Sequence, residues 1–584
     1  MIKIEKVKPT GVFTNYIYKA IPLAFDESMS YYETLCGLLA YLKDTILPVI
    51  NNNADATIEV QNMIIELQNY VDNYFSNLDI QEEINNKLDE MVEDGTFDEI
   101  INQTLFNELD EQIDANTSDI SDIKDDILDI DGDITNINLK IQTLDNEKIK
   151  EIRKRYYANY HIFEFPNSIP DYLKNVTIYE SYDKKNYKYG IDIDSLKVTG
   201  GNTYYVDAVN GDDSNNGTSD ATPWQSMTKV FNTNDVANGT VYVKKGIYYR
   251  TLFNTNSPYN KLKYNMNIIC EKGTIMGMFD QLTWTQNSQY SNVYEAVRSN
   301  VNHVIDIRGL DNDVLAQLPY VSSLSACSDT LNSYYADSTK VYVNIGESVT
   351  NNKILCTLKI NANGMNVDCP SQNKALKLYL ENAICLSGNY PFLNITSSSS
   401  YKAEFIGKNC KFMYKQQTDN VYDGVELRGS DSILIDCDAS CNGKDGFNYH
   451  AINGQVCNAI EINCKASYNG LHSGDNYSNG STIHDGGQII RINGTYFNNH
   501  GGNVTDVNDN TKSYNFNCTA FDSLSDGNNF TDSDFNAQQS GVAMYLYNCY
   551  AKGNSKYNLY CIDGANMFIS NTEYDRSDGT ITEI

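Results

Sequence analysis

A short pattern, Asn or Asp followed by a small residue at the end of a β-rich run, recurs through the C-terminal half of the chain. It ends at Ala383, Cys410, Cys437, Cys464, Gly494, Cys518, Cys549 and Thr572, at spacings of 27, 27, 27, 30, 24, 31 and 23 residues. Such a period marks a solenoid, because one coil cannot bury its apolar face alone and must stack on its neighbours. Stacked strands lie about 4.8 Å apart. The pattern therefore predicts an inward ladder of small side chains beneath a ladder of asparagines at the preceding turn. It also casts the cysteines as small buried fillers with free thiols. Fourteen cysteines in 584 residues are too sparse for a disulfide scaffold, and no Cys-x-x-Cys pair marks a zinc site.

The first 150 residues follow a helical period. Ile64, Leu67, Val71, Tyr74 and Leu78, continued by Ile80, Ile84, Leu88 and Met91, lie on one helix face. Gly95 stops that helix, and Thr96-Phe-Asp-Glu99 has the form of a capping box. Ile120, Ile123, Ile127, Ile130, Ile134, Ile137, Ile141 and Leu144 then alternate strictly by three and four. Isoleucine at both core positions shifts parallel coiled coils towards trimers and tetramers. A helical domain over 1–110 and a trimeric coiled-coil stalk over 111–150 are therefore expected, so that the chain forms a homotrimer. A connector over 151–199 has no clear pattern. From 200 to 584 the composition turns to Asn, Gly, Thr, Tyr and Ser, and the solenoid is expected to run almost to Ile584. Within it, Trp284, Val293-Tyr294, Val304–Ile307 and Val341–Asn344 break the coil period and read as antiparallel strands of a subdomain inserted at about 275–355.

Charge narrows the function classes. Forty-four Lys and Arg against 76 Asp and Glu leave a net charge of −32, which argues against nucleic acid as a partner. No run of 18 apolar residues exists to span a membrane, and Met1–Thr10 lacks the apolar core of a signal peptide.

Four of the six histidines, His450, His472, His484 and His500, fall within the best repeats. Counted back from the repeat corners, Asp423, His450, His484, Asp506 and Asp532 occupy similar positions, each after a residue that alternation turns inward. An exposed vertical ladder Asp423–His450–His484–Asp506–Asp532 is expected. Asp485 fits only if the strand bulges or ends there. His450, His484, Asp506 and Asp485 are the catalytic candidates. Lys444, Tyr449, Arg428 and His472 are candidates for holding substrate, with Arg491 and Lys512 as further cations. Asp423, Asp475 and Asp506 are candidate ligands of a divalent ion (manganese, calcium or zinc). Carboxylates and imidazoles in such a column suit metal-assisted phosphoester hydrolysis or His acid–base catalysis. A carboxylate pair among Asp423, Asp485 and Asp506 would suit a glycosidase. A lyase would use Lys444 as base. In a pure adhesin the column is only solvated surface.

Two stretches carry a family resemblance. Tyr204–Phe231, a strand, an Asp207-to-Gly217 polar loop and Pro223 at the start of a short helix, followed by Gly239–Tyr249, resembles the opening coil of pectate-lyase-like right-handed parallel β-helices. The loop shapes a turn and carries no chemistry in this reading. With the helical region, the stalk and the long solenoid, the chain resembles bacteriophage tailspikes, above all the preneck appendage (receptor-binding) proteins of small podoviruses of Gram-positive bacteria. The resemblance implies a virion protein made in the host cytoplasm, attached to tail or collar proteins through 1–110. It implies a solenoid that binds or cuts a cell-surface polymer. The substrate it implies is wall teichoic acid, cleaved by phosphodiester hydrolysis.

Overall fold

The computed structural model describes residues 159–253, 259–312, 314–415, 423–470, 478–524 and 532–584. The expected helices of 1–110 and the stalk of 111–150 lie outside them.

The described chain is a mainly β, parallel solenoid of about 11 turns. A full coil has three strands, as in Ser481–Ile483, Gln488–Ile492 and Thr495–Phe497. Stacking builds a ten-stranded sheet (the site sheet), a 14-stranded sheet (the long sheet) and a five-stranded sheet (the short sheet). The corner between the long and short strands is the repeated pattern of the sequence. Asn409, Asp436, Asn463, Asn493, Asn517, Asn548 and Asn571 all take left-handed backbone, φ 48–54°, which Asn and Asp tolerate better than other non-glycine residues. Their side chains form a hydrogen-bonded ladder: Asn463 Nδ2 donates to Asp436 at 2.9 Å, Asn493 to Asn463 at 3.0 Å and Asn517 to Asn493 at 3.1 Å. Beneath them Ala383, Cys410, Cys437, Cys464, Cys518 and Cys549 are buried, and every described cysteine is free. The ladder has glycine at 494 because a Cβ there would lie 2.3 Å from the Tyr496 hydroxyl.

The first coil closes with the helix Met227–Asn232, whose Met227, Val230 and Phe231 enter the core. Its N-cap is Ser226, accepting from Lys229 N at 3.1 Å, so Pro223 precedes the helix instead of starting it. Asp207 accepts from Val209 N and Asn210 N, and Asp213 from Gln225 N and Ser226 N, so the polar loop is spent on turns. After Met266–Gly277 the chain leaves the coil path and builds two antiparallel sheets, one of four strands and one of three. It returns at Asn363–Asp368 and Leu376–Leu386, the latter pairing with Met266–Gly277.

Residues 159–199 cover the outer face of the long sheet. A three-stranded antiparallel meander, Tyr160–Ile162, Val176–Ser181 and Tyr187–Ile191, belongs to an apolar segment that lays Phe163, Leu173, Val176 and Ile178 on Ile433, Ile460, Ile490 and Phe516. The rings of Phe163 and Phe516 lie 5.1 Å apart, edge to face, a favoured aromatic geometry.

Candidate functional site

The hydrogen-bond register of the site sheet decides which side chains share a face. Its outer face carries two columns. One runs Asn366, Asn394, Glu426, Asn448, Thr482, Thr505 and Asn536, and it is buried apart from Asn394. The other, half-exposed, runs Asp368, Thr396, Arg428 and His450, and returns at Val507 and Gln538. His484 follows its strand and continues this column, because its N–H still donates to Tyr449 O at 3.0 Å.

His450 and His484 stack, ring centroids 4.1 Å apart and planes 19° apart. Asp485 sits beside them because the strand ends at Ile483: Asp485 is left-handed (φ 59°) and Gly486 follows at φ 81°. That turn swings the carboxylate outward, with Oδ2 3.6 Å from His450 Nδ1, while Oδ1 accepts from Asn508 at 3.0 Å. His484 Nε2 lies 3.0 Å from Thr482 Oγ1. Burial, reinforced by His450 and Lys444 and opposed by Asp485, pushes His484 down to about 3, so its imidazole is neutral near pH 7. The His450 side chain is 38% exposed.

Behind the imidazoles lie two carboxylates at 1% exposure, Asp423 and Glu426. Asn448 donates to Asp423 at 2.6 Å and Arg428 to Glu426 at 2.5 Å. Burial raises the Asp423 carboxyl against the pull of Lys444, Lys415 and His450. Burial and the charge of Asp423 push Glu426 up to about 7, opposed by Arg428 and Lys415. Lys415 is pushed down to about 8 by burial, against the pull of the same two acids. Glu426 and Lys415 were not among the sequence candidates. The signal for Glu426 was present: in Val425-Glu-Leu-Arg428 alternation turns the acid outward, two residues before Arg428.

The expected five-residue ladder is corrected. Only His450 and His484 share a column. Asp423 precedes its strand and aligns with Asp445, whose carbonyl accepts from Gly424 N at 2.7 Å. Asp532 likewise precedes the strand Ser533–Gln538. Asp506 is in register with Ile483, and Tyr449 with Leu427, so both point into the core. Arg491, at 0% exposure, donates through both terminal nitrogens to Asp506 Oδ1 at 3.1 Å and through Nε to Ser481 at 2.9 Å. Tyr449, Ser481 and Tyr496 donate to Glu461 at 2.9, 2.7 and 2.5 Å. This interior network takes Asp506, Tyr449 and Arg491 out of contact with solvent. Lys512 opens a strand of the long sheet. His472 and Asp475 lie outside the described residues.

The expected metal set is not assembled by the described residues: Asp423 is buried and Asp475 lies outside them. Asp506 is committed to Arg491 inside the solenoid, and among the described residues no three His, Cys, Asp or Glu side chains are grouped to hold an ion. Lys444, by contrast, acts electrostatically on both Asp423 and His484, and Arg428 stands beside His450 in register.

No protein-family model matches the chain, and no curated protein does. Solved structures share the solenoid at low identity. A glycoside hydrolase is 10% identical over 66% of this chain and 95% of its own, with a TM-score of 0.40. Pectate lyase Pel9A is 14% identical over 66% and 80%, at 0.28. The Gp54 tailspike of Acinetobacter baumannii bacteriophage AP22, solved with a capsular saccharide, is 11% identical over 59% and 64%, at 0.24. These likenesses concern the fold.

Proposed function

We propose that this chain is a bacteriophage appendage that binds a bacterial surface polymer and cleaves it at His450 and His484, the bond being a phosphodiester of wall teichoic acid. The observation that carries the reading is the half-exposed imidazole stack, with one ring held neutral, Asp485 beside the other and Arg428 on the neighbouring strand. His450, with Asp485 beside it, takes the proton of the attacking hydroxyl as its oxygen bonds to phosphorus. His450 then returns that proton to the bridging oxygen as that P–O bond breaks, with neutral His484 stacked against it. Arg428 and Lys444 face the charge on the non-bridging oxygens. They also supply local positive charge on a chain that at −32 would otherwise repel a polyphosphate. No metal enters this scheme. In the same reading the heptads Ile120–Leu144 make the trimeric stalk and residues 1–110 attach to the virion.

A second reading rests on a separate observation. Glu426, pushed up to about 7 beside Asp423, is the kind of acid that glycoside hydrolysis needs opposite an ionised partner. Incubation with purified walls and with capsular polysaccharide separates the two. Release of glycerol or ribitol phosphate, undiminished by a chelator, is expected. Release of reducing sugar ends alone would favour the carboxylate pair, and binding without release would make the chain an adhesin.

A further inference from the structure

The outer face of the long sheet changes character along its length. One outward column opens with Tyr205, Tyr242 and Ile269 and leads in register to Ile435, Ile462 and Ile492. The three later isoleucines are sealed in the cluster that residues 159–199 form with this face. That cover is pinned near its end, where Val198 N–H donates to Asn267 Oδ1 and Asn267 Nδ2 donates to Val198 O, both at 2.9 Å. The opening coils carry tyrosine instead. Tyr242 is 42% exposed, and its ring lies 5.7 Å from that of Tyr205 with the planes 27° apart. Tyrosine suits a surface that is apolar on its face and wet at its edge. The two residues line a cleft of about 380 Å³ together with Asp220, Lys244 and Glu271, a volume in the range of small-molecule sites. Asp220 belongs to the polar loop in which Asp207 and Asp213 shape turns, but its own carboxylate meets Lys244 Nζ at 2.6 Å. Glu271 lies 3.8 Å from the same Nζ and also accepts from Lys245 N at 2.8 Å. Groups held in place before binding lose less entropy on meeting a ligand. One lysine serves both acids, so a phosphate gains no net positive charge there and a cation must compete with the lysine. A sugar hydroxyl can donate to the carboxylates and accept from the ammonium. The C–H face of a pyranose ring can lie on tyrosine without charge.

We propose that the cleft at Tyr205 and Tyr242 is a second ligand site that takes one neutral pyranose residue, its ring stacked on Tyr242 and its hydroxyls on Asp220, Lys244 and Glu271. Binding here is independent of cleavage at the histidines, which lie on the site sheet.

The test uses the full chain and its Tyr242→Ala and Tyr242→Phe variants, with melting followed in each. Neutral methyl pyranosides are titrated by saturation-transfer NMR, with glycerol phosphate as the charged probe. At least one pyranoside is expected to bind, with transfer strongest to its ring C–H protons. Tyr242→Ala should weaken that binding roughly tenfold, the scale of one lost stacking contact, with little change in melting. Tyr242→Phe keeps the ring and should stay within about threefold of wild type. Wild-type protein that binds no pyranoside, or equal affinity in wild type and Tyr242→Ala, would overturn the site. Glycerol phosphate bound more tightly than every pyranoside, and lost in Tyr242→Ala, would overturn the neutral-sugar assignment. Self-association abolished by Tyr242→Ala, with no pyranoside bound, would show that a second copy covers the rings and would overturn it as well.

Discussion

The long sheet and the site sheet are wound from the same coils, yet their outer faces obey opposite rules. Outward residues of the long sheet are apolar, Ile433, Ile460, Ile490 and Phe516 among them, and the segment 159–199 lies over them. Outward residues of the site sheet are, apart from Val507, polar or charged, and several buried polar atoms there have no hydrogen-bond partner among the described residues. In a solenoid the outward side chains of a sheet thus disclose what covers it. Apolar ones pack under another part of the chain. The interior adds a second contrast, since it holds the polar Glu461–Arg491–Asp506 network, with Glu461 and Arg491 from the long sheet and Asp506 from the site sheet.

The largest expected effect tests that inner support. Arg491→Met leaves Glu461 and Asp506 buried without their cation, and should cost about 3–5 kcal/mol in chemical denaturation. A loss under 1 kcal/mol would mean the network does not brace the histidine strands. Next, Ile490→Asp places a charge under the covering segment and should cost about 3 kcal/mol or more. Tolerance of that change would show that the apolar face is not sealed.

Glu426→Gln probes the polar face through pH. The folded Glu426 carboxyl, at about 7, lies above its unfolded value of about 4.3. Between those values the folded state binds more protons, so its contribution is complete below pH 4 and is lost as pH rises through 7. The variant should therefore gain on wild type between pH 5 and pH 8, by on the order of 1–3 kcal/mol. A constant difference across that range would refute the assignment. Smallest is Thr505→Val, which removes one hydrogen bond to Asn479 and should cost about 1 kcal/mol. A cost comparable to Ile490→Asp would erase the distinction between the two faces.

The fold was legible where one physical demand repeats. The left-handed corner asks for Asn or Asp and the stack beneath it for a small side chain, so Asn-Cys spacing reported each coil. The site was legible only in part because its column is indexed by strand register, not by distance to the corner. The turn after Arg428 is short, with the next strand starting at Asp431, whereas after His450 it runs to Asn458. Counting back from the corners therefore matched His450 to His484 but moved Asp423 and Asp506 out of line and passed over Glu426. Asp506 misled for a further reason: an acid inside a solenoid is viable only with a buried cation, and Arg491 comes from a different sheet. The covering role of 159–199 could not be read locally, since its partner surface is assembled from strands scattered between Tyr379 and Tyr547.

The central claim is that the stacked histidines cut a surface polymer. The most direct measurement is polyol-phosphate release from purified walls by the wild type, by His450→Ala and by His450→Ala/His484→Ala, with melting followed in parallel. A fall of roughly 10²–10⁴ for the single variant, no smaller in the double, is predicted with little change in melting. Equal rates in all three proteins would contradict the account.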